Sequence, residues 1–271
     1  GGAKFEEAIE NINGRLDAIE NTQIATLQEQ VNAINATLPE LEKTDKELKG
    51  YIDRMRQGEK DVLWPGQVKW YAKSSGTTND KSKFIPVSKD GLKDTHYAGG
   101  RDAVTWYLRN NPQSRIFDGK ALILGGSHVP NYNTKNSLVG DLSAILIENI
   151  NPLVNLVRVP KKSIALLSDF EVKRNLIAQE AIKQNITNLS GVPSWMLSVM
   201  TRVLEISGKD NLVDVWPNLE MFFHGGVAFT PYREQYKRLI PSDQMHYMET
   251  YNASEGFFGL QNDPTDPAMM L

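Results

Sequence analysis

The feature that most constrains this chain is a regular spacing of apolar side chains near its beginning. They recur at alternating intervals of three and four residues from Phe5 to Ile19 and, after one interval of five, from Ile24 to Leu41. This is the a/d pattern of a coiled coil, in which helices bury a narrow apolar seam between them. The interval of five predicts local over- or underwinding. The spacing therefore predicts a long helix that needs a partner.

Pro39 interrupts this pattern, because an interior proline removes one backbone hydrogen bond. We expect the helix to stop there and to restart with Thr37 as its N-cap and Pro39 in the first turn, ahead of Glu40 and Glu42. Two partners are open for the apolar stripe: the chain's own globular part, or further copies of the chain in a dimer or trimer. The strict a/d spacing favours a homo-oligomer.

Composition changes abruptly after Lys49. Residues 1–49 have one aromatic residue and a net charge of −5 from 5 basic and 10 acidic side chains, whereas residues 50–271 have 25 basic and 23 acidic side chains. We therefore predict two parts, a coiled-coil helical segment at 1–49 and an α/β domain at 50–271. With an overall charge of −3, we expect neither nucleic acid nor a membrane as a partner.

The second part alternates short apolar runs with longer helical periods. Residues 121–124 and 219–223 are predicted as buried strands, and residues 194–206 and 231–240 as helices. Such alternation predicts a mainly parallel sheet with helices on its faces. No run approaches the roughly 18 uncharged apolar residues of a membrane span. The absence of cysteine excludes disulfides and Cys-bound metals and leads us to expect a cytoplasmic location.

A hydroxyl-rich loop follows the strand-like residues 68–72. Residues 74–83 read Ser-Ser-Gly-Thr-Thr-Asn-Asp-Lys-Ser-Lys. Hydroxyls and backbone N–H groups suit phosphate oxygens, and the two lysines can neutralise their charge. The segment is not a Walker A loop, since it lacks Gly-Lys-Ser/Thr, and an ordinary surface turn has a similar composition. The candidate phosphate-binding residues are Ser74, Ser75, Gly76, Thr77, Thr78, Lys81 and Lys83.

Two later segments make a resemblance specific. Residues 224–227 read His-Gly-Gly-Val, and residues 251–256 read Tyr-Asn-Ala-Ser-Glu-Gly. With the loop, they resemble in order the phosphate-binding loop, the adenine-binding loop and the Tyr-x-x-Ser/Thr-Glu motif of the adenylate-forming superfamily. The variant is that of the auxin-responsive acyl-acid-amido synthetase family, and the resemblance covers about residues 48–271. A glycine common at Asn79 is missing, as is the proline before the loop lysine.

The resemblance implies a truncated adenylate-forming large domain and an ATP- and magnesium-dependent ligase that joins a small carboxylic acid to an amino acid. The catalytic residues would be Glu255 and one of the two loop lysines, because the reaction must screen phosphate charge and hold the reactants in line. The differences from the superfamily motif at Asn79 and before the lysine leave open whether Lys81 or Lys83 is the working one. One carboxylate, Glu255, would suffice for Mg²⁺, which keeps several waters.

The resemblance also assigns the other residues of the two later motifs. The Ser254 hydroxyl would bond a phosphate oxygen, and Tyr251 would offer a flat face to adenine. Gly225 and Gly226 would let the backbone approach the base without a Cβ atom in the way.

The same resemblance implies that only the N-terminal part of such an enzyme is present. We expect a fragment that binds nucleotide weakly or not at all, does not complete amide synthesis, and leaves uncovered the strands ending near Phe223 and Tyr251. The front helix resembles stalk segments of bacterial surface proteins, which suggests a fusion or mis-joined fragment near residues 48–52. The competing hypothesis is a non-catalytic assembly protein with a partial or degenerate nucleotide-binding domain.

The histidines are weaker candidates for functional residues than the three motifs. Ser127-His128 lacks the Gly-x-Ser-x-Gly elbow of a nucleophile, so we expect it to line an acyl pocket. His96 and His246 lack metal-ligand spacing and are expected on the surface or hydrogen-bonded in the core. Residues 195–200 are predicted to face the core as part of a helix.

Overall fold

The structure is a computed structural model that describes residues 2–74 and 83–271. It divides into two compact units, Gly1–Asp53 and Arg54–Leu271. The predicted border between residues 49 and 50 falls inside a helix, and separate folding of the two parts stays a prediction.

The first unit is one long helix. The helix α1 is Gly2–Arg56, and Pro39 lies inside it, so the expected interruption is wrong. Thr37 does not cap a new helix, because its hydroxyl donates to the Ile34 carbonyl at 2.8 Å within the same helix. A proline costs an interior helix about 3 kcal/mol, but helical turns on both sides propagate without a new nucleation step. Residues 2–50 of α1 are exposed along their whole length.

The second unit is built on two sheets. Its strands, in chain order, are β1 Trp70–Ser74, β2 Lys83–Val87, β3 Lys120–Ile123, β4 Leu138–Gly140, β5 Arg158–Val159, β6 Ile186–Gly191, β7 Met221–Gly225, β8 His246–Ala253 and β9 Gly256–Leu260. The smaller sheet has the order β2-β1-β4 and the larger one the order β5-β3-β6-β7-β8-β9. In the larger sheet only β9 runs antiparallel to its neighbour. The expected mainly parallel α/β fold is confirmed.

Helices connect these strands. They are α2 Lys89–Gly91, α3 Ala98–Asn110, α4 Leu142–Asn149, α5 Lys162–Ala165, α6 Phe170–Ala181, α7 Pro193–Ser207 and α8 Arg233–Leu239. A π-helical stretch, Leu92–Tyr97, joins α2 to α3. Asp169 is the N-cap of α6, and its side chain accepts a hydrogen bond from the Val172 N–H. The helices predicted at 194–206 and 231–240 correspond to α7 and to α8 with the short turn before it.

The main core lies between the larger sheet and α6 and α7. Leu122, Leu189 and Phe222 of the sheet are fully buried, as are Met196 and Met200 of α7, which confirms the predicted core-facing helix. Within the predicted core-facing stretch 195–200, Trp195 is exposed.

Two details differ from expectation. The strand predicted at 219–223 is Met221–Gly225, so the Gly-Gly motif begins inside β7 rather than after it. The strands ending near Phe223 and Tyr251 are not edges, since β7 lies between β6 and β8, and β8 between β7 and β9. The chain turns back directly after β8, which supplies β9 as the covering strand.

Membrane-spanning segments were sought among the helices of residues 2–74 and 83–271. None of them combines the length and the apolar character needed to cross a bilayer.

Candidate active site

Two of the three motif segments, 224–227 and 251–256, meet at the carboxyl ends of neighbouring parallel strands. In the larger sheet β3 lies between β5 and β6. The strand that follows β3 in this sheet, β5, is on one side of it, and the next, β6, is on the other. Such a reversal opens a crevice beyond the strand ends, where ligands of α/β proteins bind. The ends of β3, β6, β7 and β8 all face this edge, since these strands are parallel.

The two glycines of the predicted adenine-binding loop end β7. A Cβ atom on Gly225 would lie 2.5 Å from the Thr250 carbonyl oxygen of β8, which no side chain tolerates. Gly226 has a φ of +85°, and its added Cβ would be 3.1 Å from the Val192 side chain. The two strands are also tied by the Thr250 hydroxyl, which donates to the His224 carbonyl at 3.2 Å. Close approach and backbone geometry together therefore require glycine here.

The Tyr-Asn-Ala-Ser-Glu segment ends the neighbouring strand. Tyr251 lies on β8 with 52% of its surface exposed, and its ring is 5.3 Å from the Phe258 ring on β9. Ser254 and Glu255 form the turn between β8 and β9, where Ser254 is half-buried and Glu255 is exposed. The structure thus brings Gly225, Gly226, Tyr251 and this turn to adjacent strand ends, with an aromatic face and a carboxylate open to a ligand.

The segment after β2 lies beside the residues that flank this turn. His96 is buried, and its Nδ1 lies 2.7 Å from the Asn252 side-chain oxygen. Burial lowers the pKa of His96, and the bond to Asn252 opposes this shift. His96 is therefore the hydrogen-bonded core histidine that the sequence allowed. A Cβ on Gly256 would be 3.7 Å from the Thr95 hydroxyl, which places the π-helical stretch beside the turn.

The two ends of the predicted phosphate-binding loop are paired in register. Ser74 of β1 pairs with Lys83 of β2 in an antiparallel hairpin. The predicted strand at 68–72 thus begins and ends two residues later. The loop residues Ser75, Gly76, Thr77, Thr78 and Lys81 lie outside the described residues.

A buried lysine that sequence reasoning missed lies at the end of β3. Lys173 of α6 is only 5% exposed, and its Nζ donates to the carbonyls of Gly125 at 2.6 Å and Gly126 at 3.1 Å. Burial lowers its pKa, while the Asp141 carboxylate opposes the shift. The Asp141 side chain also accepts from the Ser127 N–H at 2.9 Å. No local pattern distinguishes Lys173 from a surface lysine of an amphipathic helix.

Lys173 lines a cavity of about 320 Å³. The wall includes Ser127 and two aromatic side chains, Phe170 and Trp195, whose rings meet edge to face at 5.6 Å. A volume of this order accepts a small organic molecule. Ser127 therefore faces a cavity, as expected, whereas the ring of His128 stacks on Trp70 at 5.1 Å and its Nε2 lies 3.3 Å from Glu148.

His224 lies inside the core rather than on a ligand surface. Its ring stacks on Phe229 at 4.2 Å, and burial, with help from Arg233, lowers its pKa to about 4. It is neutral at physiological pH. Among residues 2–74 and 83–271, no group of three or more His, Cys, Asp and Glu side chains could hold a metal ion.

Comparison with known proteins decides the family. The profile of the GH3 family N-terminal domain matches residues 43–245, three-quarters of the chain. This chain belongs to the GH3 family. The match includes the Gly-Gly segment and Lys173, and it ends before Tyr251. No curated protein matches the chain.

Two solved structures share the fold of this GH3 domain. "GH3.15 acyl acid amido synthetase" has a TM-score of 0.61 at 15% identity, over 81% of this chain and 46% of that one. "AtGH3.15 acyl acid amido synthetase in complex with 2,4-DB" has a TM-score of 0.65 at 14% identity, over 82% and 48%. The chain thus spans just under half the length of the structures it matches, and over that part it has the fold of acyl acid amido synthetases.

Proposed function

We propose that this GH3 domain takes part in the ATP-dependent activation of a small carboxylic acid for conjugation to an amino acid. An oxygen of the acid would attack the α-phosphorus of ATP, release pyrophosphate and form an acyl-adenylate. The amine would then attack the acyl carbonyl, lose a proton and release AMP to give the amide. The observation that carries the proposal is the meeting of Gly225, Gly226 and Tyr251 with the Ser254–Glu255 turn on adjacent strand ends.

The geometry supports a binding role for each of these residues. The exposed face of Tyr251 can stack on adenine, and the exposed backbone at Gly226 can contact the edge of the base. Glu255 offers a carboxylate oxygen in an exposed turn, which fits Mg²⁺ as one ligand beside water and phosphate oxygens. When bound, Mg²⁺ would neutralise phosphate charge. Ser254 can donate to a phosphate oxygen.

The test is calorimetric titration of the chain with ATP and Mg²⁺, at chain concentrations high enough to detect the weak binding expected of this fragment, and no heat of binding in the parent chain contradicts the proposal. Lys81→Ala combined with Lys83→Ala should weaken ATP binding by about 1–3 kcal/mol, because charge-assisted hydrogen bonds to phosphate are lost. Lys209→Ala, at an exposed site of the same domain, is the matched control and should bind as the parent does. An unchanged titration in the double variant contradicts the phosphate-loop assignment.

A second assay addresses the metal and the acid. Glu255→Gln should reduce acid-dependent exchange of pyrophosphate into ATP, since the amide is a weaker ligand for Mg²⁺ than the carboxylate. Glu234→Gln, an exposed carboxylate on α8, is its control.

We assign the acid to the cavity at Lys173, where an ammonium group and aromatic walls meet. Lys173→Met keeps the length of the side chain and removes its charge. It should raise the acid concentration needed for half-maximal exchange more than that of ATP. Equal effects on both substrates contradict the placement.

A second function, self-association, rests on a separate observation. The apolar side chains from Phe5 to Leu41 that form the a/d pattern are between 42% and 68% exposed in the single chain. A stripe of this length in water favours association. We propose that α1 assembles copies of this chain.

A further inference from the structure

The side chains along the seam of α1 indicate how many copies assemble. With Ile12 and Ile34 at d positions, the intervals assign the a positions to Ile9, Leu16, Ile24, Val31 and Leu38, and the d positions to Phe5, Ile12, Ile19, Leu27, Ile34 and Leu41. A parallel dimer prefers Ile or Val at a and Leu at d, whereas isoleucine at d favours higher oligomers.

Only one pair of layers, Ile24 with Leu27, has the combination that dimers prefer. Isoleucine occupies d in three of the five pairs, and two of these, Ile9 with Ile12 and Val31 with Ile34, are β-branched at both positions. Isoleucine or valine in both layers is the combination that we associate with three strands.

The charges beside the seam indicate the direction of the helices. Three of the six e positions are acidic, since these positions read Glu6, Asn13, Glu20, Gln28, Asn35 and Glu42. The g positions have no acid and read Ala8, Arg15, Gln23, Gln30 and Thr37. Parallel helices place each g residue beside the e residue five positions later on the neighbour, so Arg15 meets Glu20 of the next copy. In antiparallel helices the e positions of neighbouring copies would face each other, so their acidic side chains would repel.

We propose that α1 forms a parallel three-stranded coiled coil with two further copies of this chain, joined along Phe5–Leu41. The proposal rests on the self-association proposed above and adds its number and direction. Three strands bury both layers of β-branched side chains, and the Arg15–Glu20 contact fixes the register between neighbours. The occupant of the exposed stripe is therefore the same segment of two other chains.

Sedimentation of the full chain at micromolar concentration tests the number. The expected mass is three times the 30.4 kDa of the chain. A monomer overturns both self-association and the trimer, whereas a dimer or a tetramer overturns the trimer alone.

Replacing Ile12, Ile19 and Ile34 together by leucine should convert the trimer to a dimer, because every d position after Phe5 in the sequence is then leucine. Ala18→Leu with Ala36→Leu, at outer positions of the same helix, should stay trimeric. A triple variant that remains trimeric overturns the role of the isoleucines.

The direction is tested by cross-linking and by charge exchange. Since the chain has no cysteine, Gly2→Cys, at an a position, gives a unique thiol. Parallel helices bring these thiols together, whereas antiparallel helices paired along Phe5–Leu41 separate them by about 60 Å, the rise over roughly 42 residues. Disulfide-linked chains on oxidation are expected, and an assembly that does not cross-link overturns the parallel arrangement.

Arg15→Glu should weaken assembly about two- to fivefold, the usual range for an exposed ion pair. The exchange of both charges, Arg15→Glu with Glu20→Arg, should restore it. Failure of the exchanged variant to recover contradicts the Arg15–Glu20 contact, and a chain with Lys4→Glu serves as the control for charge outside this pair.

Discussion

The helix α1 and the core of the GH3 domain use apolar side chains of the same kinds with opposite results. Ile12 and Ile34 of α1 are more than half exposed, whereas Leu189 and Phe222 of the larger sheet are fully buried. In the domain, strands far apart in the chain enclose the apolar residues, but the neighbours along a single helix cannot cover its stripe. An apolar period therefore indicates which residues require burial and leaves open whether the same chain supplies the cover.

The largest expected difference concerns the core of the domain. Phe222→Ala should lower the free energy of unfolding by about 3–5 kcal/mol, because a fully buried ring stacked 5.2 Å from Tyr236 leaves a cavity. Denaturation followed by tryptophan fluorescence measures it, since all five tryptophans lie beyond residue 49. Ile12→Ala should leave this transition unchanged. Similar losses in the two variants would contradict the contrast between the regions.

The next effect is a pH dependence confined to the domain. Because burial holds the pKa of His224 at about 4, against about 6.5 when unfolded, the unfolded chain binds more protons between these values. Stability should therefore be lost as the pH falls from 7 to 4, by about 3 kcal/mol from this group.

His224→Phe should remove this contribution while keeping a ring against Phe229. Denaturation of both proteins at several pH values gives the difference. Parallel stability curves for parent and variant would refute the contribution of His224.

A smaller effect is expected in α1. Pro39→Ala should stabilise the helix by up to about 3 kcal/mol, because it restores a backbone hydrogen bond and removes a steric conflict. Thermal unfolding followed by circular dichroism at 222 nm measures the change in the helical transition. Pro112→Ala, at an exposed turn of the domain, should leave that transition where it is. A lower transition temperature in Pro39→Ala would argue against a continuous helix.

The smallest expected effect is the loss of a helix N-cap, which is observed at Asp169 and was expected but is absent at Thr37. Asp169→Ala should cost about 1 kcal/mol, because its carboxylate accepts from the Val172 N–H at 3.0 Å. Thr37→Ala in α1 should cost nothing, since Thr37 lies within the helix and alanine is a better helix former. Both values follow from chemical denaturation, and a larger loss at Thr37 than at Asp169 would support the interrupted helix.

Local chemistry made much of this molecule predictable. The a/d intervals identified the long helix, apolar runs identified three of the strands (β1, β3 and β7), and the ordered motifs identified the family. Each of these signals is carried by residues close together in the chain. Pro39 was misjudged because a propensity that disfavours a helix locally can be outweighed by the turns on either side.

What the tertiary structure decided depends on residues far apart in the chain. The requirement for glycine at 225 comes from the Thr250 carbonyl on the next strand, and the partner of the buried His96 ring is Asn252, 156 residues away in the chain. Lys173 reads as an ordinary helical lysine until the turn after β3 places two carbonyls around it. The sequence by itself determined the long front helix, three of the strands, two helices of the domain and the motifs that identify the family. Only packing determined which polar groups left water, because the free energy of burying a charge depends on partners that local sequence does not contain.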